Sequence, residues 1–160
     1  MGFAVREMIE ADYAIWTEMR AALWPDETRE WHAADILVDL SDPDCWGFIA
    51  ETATGEPAGF AEISIRKFAN GCESAPVPFL EGIWIAPHFR RQGAAAQLIA
   101  HIEAFVLARG FTEIGSDALI DNHISHAAHA RWGFSETERV VYFRKALRNP
   151  LNAAESARFS

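Results

Sequence analysis

A short basic turn between an apolar strand and an alanine-rich helix start has the composition of an anion-binding site. A helix N-terminus offers unpaired backbone N–H groups and the positive end of a dipole, so the main chain binds a phosphate there. A glycine allows close backbone approach, and arginines add charge-assisted hydrogen bonds. We therefore expect a diphosphate site formed by Arg90, Arg91, Gln92, Gly93, Ala94, Ala95 and Ala96.

Two other phosphate-binding patterns are missing from the sequence. It contains no GxxxxGKS or GxxxxGKT motif, and no GxGxxG motif followed by an acidic residue for a ribose. ATP and NAD are therefore not indicated. Taken alone, Arg90-x-x-Gly93-x-Ala95 also fits an ordinary basic loop that ends in a glycine.

Glu81 is the one charged residue of an apolar segment, Phe79 to Ala86, that has the character of a strand. Burial without a partner is costly for a carboxylate and raises its pKa toward the range that suits a general base. Glu81 is therefore a candidate base. The alternative is a structural carboxylate that pairs with Arg66 or with another cation of a neighbouring strand.

Three histidines, His123, His126 and His129, invite a metal hypothesis. Residues three apart on a helix drift by about 60° at each step, so their rings fan apart. No carboxylate motif stands beside them, and we expect no metal site. Cys45 and Cys72 also lack a CxxC pair or a partnered histidine motif, and reduced thiols are expected.

The charge balance limits the classes of partner. The 160 residues include 14 basic and 23 acidic side chains, a formal net charge of −9. This balance disfavours nucleic acid and suits a cationic small molecule, although a solvating surface has the same composition. No apolar run reaches the roughly 20 residues of a membrane helix, and no signal core follows the first residues. We expect a cytoplasmic protein without a membrane partner.

Helical and strand patterns alternate along the chain, which predicts a single α/β (α+β) domain over residues 1–147 and a tail over 148–160. Helices are expected over 11–23 and between Thr28 and Asp42, the second with Trp31, Ala34, Leu37 and Val38 on its buried side. The remaining expected elements are strands over 46–52, 59–66 and 79–86, a helix over 94–109, a strand over 112–117, a helix over 122–132, and a terminal pair of strands ending near Leu147.

Two motifs in this order resemble the GNAT acetyltransferase superfamily. The first, R/Q-x-x-G-x-G/A opening a helix after a bulged strand, is matched from Arg90 to Ala95. The second, a later asparagine motif, is matched at Asn122, Ser125, His129, Gly133 and Phe134. The resemblance extends roughly from Val5 to Leu147, and segments 60–66, 70–74, 79–83 and 136–144 resemble the aminoglycoside 6′-N-acetyltransferases.

The resemblance implies a fold and a cosubstrate. The GNAT fold has a central mixed, mostly antiparallel sheet that splays into a V and is flanked by helices. Acetyl-CoA would lie in the V, with its pyrophosphate at the basic turn. Its pantetheine arm would pair with the main chain of Ile83, Trp84 and Ile85, and Asn122 would reach the arm from the other side. The bulge would free the backbone N–H near Ile83 for an oxyanion.

The narrower resemblance implies roles for several side chains. Glu81, Asp117 and His129 would form the catalytic group, and Trp24, Glu27, Phe68 and Glu138 would join Glu81 and Asp117 in binding the substrate. His129 stands where many GNAT enzymes have a tyrosine that protonates the leaving thiolate, and histidine titrates near neutral pH. A packed helix histidine, a helix-capping Asp117 and a solvent-facing Glu138 are the structural alternatives.

The resulting hypothesis is an enzyme that moves acetyl from acetyl-CoA to the 6′-amine of aminoglycoside antibiotics by direct attack of the amine, and so confers resistance. One alternative is a GNAT enzyme for another amine, such as a polyamine or a protein N-terminus. Another is a protein that binds CoA or an aminoglycoside without catalysis. The resemblance also implies a homodimer.

Overall fold

Five strands form one sheet in the order β1-β2-β3-β4-β5 in the computed structural model, which describes residues 2–147. The tail expected over 148–160 lies outside the described residues. The strands are β1 (Phe3–Glu7), β2 (Cys45–Thr52), β3 (Pro57–Arg66), β4 (Val77–Ile85) and β5 (Gly115–Ser116). The helices are α1 (Tyr13–Leu23), α2 (Arg29–Ser41), α3 (Ala94–Leu107) and α4 (His123–Arg131), with short 3-10 turns at Glu10–Asp12 and Pro87–Phe89.

The sheet is mixed and mostly antiparallel, as expected. β1, β2, β3 and β4 pair antiparallel in sequence order, and β5 pairs parallel with β4. The parallel ladder is short, because it joins only Phe79 to Gly115 and Leu80 to Ser116. β4 continues to Ile85, so the two strands separate and leave one edge of β4 open. This separation is the expected V.

Alternation along the strands divides the core between the two faces of the sheet. Neighbouring residues of a strand point to opposite faces. Phe48 of β2 packs with Leu98 and Ile102 of α3, whereas the next residue, Ile49, packs with Trp16 of α1. Each such buried side chain contributes about 1.5–3 kcal/mol relative to an exposed one. The two layers hold the sheet between α3 and the α1–α2 pair.

The sequence prediction for the buried face of α2 is wrong. Trp31, Leu37 and Val38 are exposed, and so is Ala34. The residues that α2 buries are His32 and Ile36, one turn apart. The imidazole can be buried because its Nε2 lies 3.0 Å from the carbonyl oxygen of Trp24, which gives the ring a hydrogen-bond partner. The helix thus buries a polar residue that has a hydrogen-bond partner, and its more apolar residues remain exposed.

The ends of the sheet also differ from expectation. β1 was not predicted, and β5 covers two residues of the predicted 112–117 strand. The terminal pair of strands is absent from the described chain, in which residues 135–147 form neither helix nor strand. A strand requires a hydrogen-bonded neighbour, and this segment has none within the described chain. Val141, Tyr142 and Phe143 are consequently exposed.

A buried carboxylate joins the sheet to α1. Glu62 of β3 is 5% exposed, accepts a hydrogen bond from Nε1 of Trp16, and lies 3.1 Å from Nε of Arg20. The same guanidinium lies 2.8 Å from Asp35 and 3.4 Å from Asp39 of α2. Burial raises the pKa of Glu62 to about 7, and the opposing effects of Arg20 and Trp16 are smaller. The contribution of Glu62 to the free energy of unfolding therefore depends on pH.

Replacement of Glu62 by glutamine tests this pH dependence. Between pH 4.5, the ordinary pKa of a glutamate, and about pH 7, native Glu62 keeps a proton that the unfolded chain releases. The stability of the wild type therefore falls as pH rises through this window, and Glu62→Gln lacks this loss. Relative to the variant, the wild type should lose about 3 kcal/mol of unfolding free energy between pH 4 and pH 8.

Urea unfolding at several pH values measures the difference between the two proteins. Glu103→Gln is the control, because Glu103 is exposed on α3, and it should follow the wild type. Parallel curves for the wild type and Glu62→Gln would contradict the expected burial effect.

Candidate active site

A cleft of about 870 Å³ opens between the α1–α2 pair and the splayed end of the sheet. Its walls carry six carboxylates, and Arg20 is the one lysine or arginine among its described lining residues. Four tryptophan and leucine side chains from α1 and the following loop and helix supply much of its apolar wall. The carboxylates belong to Asp26, Glu27, Asp35, Asp39, Glu62 and Glu81, and the apolar side chains to Trp16, Leu23, Trp24 and Trp31. This wall favours a cationic ligand with apolar surface.

Glu81 lies at a bulge where β4 gains one residue over β3. Glu62 pairs with Gly82 and Ile63 pairs with Leu80, so Glu81 has no partner of its own. A bulge bends the strand and redirects its side chain. Glu81 consequently faces the cleft at the point where β4 leaves β5.

The carboxylate of Glu81 is held by two residues of β3. Nε and Nη2 of Arg66 donate hydrogen bonds of 2.9 and 2.6 Å, one to each oxygen. The hydroxyl of Ser64 donates a third bond of 2.5 Å. The alternative pairing with Arg66 is thus the observed one. Glu81 is 30% exposed by its side chain, so part of the carboxylate remains open to a ligand.

Asp117, the residue after β5, also acts on this guanidinium through its charge. The pKa of Arg66 is raised, first by its hydrogen bonds to Glu81, and Asp117 and Tyr142 contribute smaller effects through their charges. Asp117 is exposed and does not line the cleft itself. Arg66 therefore pairs directly with Glu81 and feels the charge of Asp117 at a longer range.

Gly82 brings the loop after α1 against the bulge. A Cβ atom at this position would lie 2.6 Å from two ring carbons of Trp24. The glycine thus lets the indole lie directly on β4, beside Glu81. Trp24 also packs edge-on against Phe60 of β3, with ring centroids 6.4 Å apart. The ring forms a fixed wall of the cleft.

The open edge of β4 begins at this bulge. From Gly82 to Ile85 the strand pairs with β3, and no strand covers its other edge within the described chain. Unpaired edge amides and carbonyls bind an extended amide-containing chain as an additional strand. The carbonyl of Ile85 already accepts a hydrogen bond of 2.9 Å from Nε of Arg90. Ile83 and Trp84 therefore offer the less occupied part of the edge.

The turn after β4 ends in a row of free amides. Gly93 has a φ of 97° and Arg91 a φ of 62°, so the chain turns sharply before α3. The first amide bonded within the helix is that of Gln97, which donates to the Gly93 carbonyl at 3.0 Å. For amides 91–96, no acceptor is found among residues 2–147. A cradle of backbone donors results, as an anion requires.

The side chains of the turn divide into two kinds. Arg90 donates to Ile85, and Nε2 of Gln92 donates to the carbonyl of His88 at 2.7 Å. These two side chains hold the turn itself. Arg91 is exposed and has no ion pair in the described structure. The open strand edge and the amide cradle together fit acetyl-CoA, whose arm carries amides and whose pyrophosphate is an anion.

His129 of α4 reaches the end of β5 rather than the surface. Its Nε2 is 2.8 Å from Oγ of Ser116, and its Nδ1 is 2.8 Å from the carbonyl oxygen of Ser125. Asn122 caps α4, since its Oδ1 accepts a bond of 3.1 Å from the amide of Ser125, and it also lines the cleft. Among residues 2–147, no cluster of three or more histidine, cysteine, aspartate or glutamate side chains is arranged to hold a metal ion.

The structure gathers four predicted residues, Trp24, Glu27, Glu81 and Asn122, around one cleft. Phe68, which is 71% exposed, and Glu138 do not line it.

Sequence reasoning missed the carboxylates deep in the cleft and the arginine that they surround. For Glu62 a signal existed, because Glu62, Ser64 and Arg66 are polar at every second position of β3 and so share one face. The missed residues on the α1–α2 side are Arg20, Asp35 and Asp39.

Comparison with known proteins identifies the family of the chain. The family model described as "Acetyltransferase (GNAT) family" matches residues 6–134. A protein of Serratia marcescens named aminoglycoside N(6′)-acetyltransferase type 1 is 45% identical over 133 residues, which are 82% of this chain and 91% of that protein. A protein of the same name from Stenotrophomonas maltophilia is 40% identical over 144 residues, 89% of this chain and 93% of that protein.

Solved structures show the same similarity. AAC(6′)-Iy in complex with the bisubstrate analog CoA-S-monomethyl-acetylneamine superposes with a TM-score of 0.86 at 40% identity, over 92% of this chain and all of that one. AAC(6′)-Ih of Acinetobacter baumannii gives a TM-score of 0.85 at 37% identity, again over 92% and 100%. On this evidence the chain belongs to the GNAT family of acetyltransferases and groups there with the aminoglycoside 6′-N-acetyltransferases.

Proposed function

We propose that this acetyltransferase moves the acetyl group of acetyl-CoA to the 6′-amine of an aminoglycoside and thereby confers resistance. The observation that carries the proposal is the meeting of two surfaces at Glu81. On one side lies the acidic cleft, and on the other the open edge of β4 that leads to the amide cradle. A polycation and a CoA thioester would reach the same bulge from opposite sides.

The proposed reaction is direct attack of the amine on the thioester. Glu81 takes the proton of the ammonium group, and the amide near Ile83 stabilises the oxyanion. Ser64 and Arg66 orient the Glu81 carboxylate, and the part that remains exposed is available to the amine. No step requires a metal, so turnover in the presence of EDTA is expected to be unchanged.

The remaining carboxylates would bind the other amines of the substrate. Glu27 lines the cleft near Trp24, and the exposed Asp117 adds negative charge that acts on Arg66. We assign the same role to Glu138, with Phe68 as an outer apolar contact, on the resemblance to the aminoglycoside enzymes. A linear polyamine is the second candidate, because the same carboxylates suit any chain of ammonium groups.

We further propose a homodimer that forms through the segment 135–147. Its side chains Val141, Tyr142, Phe143 and Leu147 are exposed, and the second edge of β5 has no partner among residues 2–147. A second copy of the chain would cover both features in a self-complementary contact. A fully active species that sediments as a monomer would contradict this.

The two free cysteines suit the cytoplasmic location that we assign to the protein.

A substitution at Gly93 tests the cradle. Its φ of 97° suits glycine, and a Cβ there would project into open space beside the free amides. Gly93→Val should therefore weaken acetyl-CoA binding at least about tenfold in calorimetry, since the side chain obstructs the pyrophosphate and strains the turn. Gly55→Val is the matched control, because Gly55 also has a positive φ and open space but lies in the β2–β3 turn. Equal affinity of both folded variants would refute the site.

A substitution at Glu81 tests the base. Glu81→Gln should lower kcat by about 10²- to 10⁴-fold, because an amide does not accept the proton, while acetyl-CoA affinity changes little. Full turnover in the variant would make Glu81 a purely structural partner of Arg66.

The position of acetylation tests the substrate. Reaction needs the attacking atom within about 3–3.5 Å of the thioester carbon, so only the amine that reaches Glu81 should be modified. Kanamycin and tobramycin carry an amine at the 6′ position and should be acetylated there, as mass spectrometry will show. Paromomycin has a hydroxyl at this position, and it should bind without being acetylated.

Two results would contradict the aminoglycoside assignment. One is acetyl transfer to paromomycin at a rate comparable to kanamycin. The other is the lack of any transfer to aminoglycosides beside efficient acetylation of a linear polyamine or of a peptide N-terminus. Binding of aminoglycosides without turnover would instead support the non-catalytic alternative.

A further inference from the structure

The hydroxyl of Ser116 connects the apex of the V to His129. Ser116 pairs in register with Leu80, the last residue of β4 that β5 covers. Its Oγ is 2.8 Å from Nε2 of His129. Nδ1 of the same ring is 2.8 Å from the carbonyl oxygen of Ser125. The imidazole is therefore held at both nitrogens, between the end of β5 and its own helix.

These contacts define the direction of each hydrogen bond. A carbonyl oxygen only accepts, so Nδ1 carries the hydrogen that it donates to Ser125. In the neutral ring Nε2 is then an acceptor and takes the hydrogen of the Ser116 hydroxyl. In the protonated ring Nε2 donates to Oγ, and the hydroxyl hydrogen is released toward another acceptor. Protonation of His129 thus turns Ser116 into a free donor.

The surroundings offer this donor little competition. The nearest backbone acceptor is the carbonyl of Leu80 at 3.4 Å, which is long for an O–H···O bond. The rings of Trp132 and Phe134 lie 5.3 Å from the imidazole by their centroids and hold it in place. The hydroxyls of Ser116 and Ser125 and the rings of Trp132 and Phe134 surround His129, and none of these four side chains is charged.

We propose that Ser116 delivers the proton to the leaving thiolate of CoA and that His129 supplies this proton to Ser116. The inference rests on the proposed acetyl transfer at the Glu81 bulge, because β4 residue Leu80 and its partner Ser116 adjoin that bulge. Histidine then acts through the serine hydroxyl rather than by direct contact with sulfur.

The proton transfer balances over one turnover. As the C–S bond breaks, its electron pair goes to sulfur, the Oγ–H proton moves to sulfur, and the Nε2 proton moves to Oγ. His129 is left neutral with its hydrogen on Nδ1. The substrate ammonium loses two protons in becoming an amide. One of them returns to His129 through water, and the other is released to solvent.

Titration of bound CoA tests the donor without turnover. The ultraviolet absorbance of the thiolate is followed against pH, and the spectrum of the desulfo-CoA complex is subtracted to remove the protein's own groups. In the reverse of the relay, the thiol proton moves through Ser116 to Nε2 of His129, and the Ser116 hydroxyl then donates to the charged sulfur and stabilises the thiolate. The bound thiol should therefore ionise about one to two pH units lower in the wild type than in Ser116→Ala.

Two further variants complete the titration. Ser125→Ala removes a hydroxyl 3.2 Å from Nδ1 but keeps the carbonyl, so bound CoA should titrate as in the wild type. Ser116→Thr keeps a hydroxyl and should restore the low ionisation pH. An unchanged titration in Ser116→Ala, or an equal change in Ser125→Ala, would overturn the proposal. CoA alone is used, so failure of the aminoglycoside assignment does not affect this result.

Steady-state kinetics supply the second measurement. Ser116→Ala should lower kcat about 10²-fold while the KM for acetyl-CoA stays within about twofold, and Ser116→Thr should recover most of the rate. Mass spectrometry of the wild-type protein mixed with acetyl-CoA shows whether Ser116 itself becomes acetylated. A peptide acetylated at Ser116 would overturn the relay, because it would make the serine a nucleophile.

Discussion

The separation of β4 from β5 after two residue pairs is the constraint on which both halves of the site depend. It leaves the edge of β4 from Gly82 to Ile85 without a strand partner, and it exposes the bulge at Glu81. A longer parallel ladder would cover the edge on which an extended amide chain can pair. A regular β4 without the bulge would turn Glu81 away from the cleft. The proposed sites of cosubstrate and amine therefore meet where the sheet opens.

The charges around this opening are arranged in two layers. Glu81, at the surface of the cleft, accepts hydrogen bonds from Arg66 and Ser64. Glu62, which pairs with Gly82 on the neighbouring strand, is buried, and burial raises its pKa to about 7. Two carboxylates that face the same cleft thus differ in their environment. This difference allows one group to attract an ammonium ion while the other supports the packing of Arg20 and α1.

Much of the fold and part of the site were predictable from sequence. The strands and α3 have clear periodicity, and the turn at Gly93 has a motif whose function depends on backbone geometry. The buried face of α2 was not predictable from hydrophobicity, because His32 is buried through its hydrogen bond to Trp24. The prediction of terminal strands was wrong for a different reason. Residues 135–147 have β-forming side chains but no neighbouring strand within the described chain.

The two sides of the site differ in how far sequence can define them. The proposed CoA side consists of backbone groups in one continuous segment from β4 to α3, so a short motif identifies it. The proposed amine side consists of side chains from α1, α2, β3 and β4 that the fold brings together, such as Asp35 and Glu62 on either side of Arg20. No local spacing encodes such a set. We therefore expect a change of amine specificity to need only side-chain substitutions within these four elements, whereas the proposed acetyl-donor site depends on the path of the main chain.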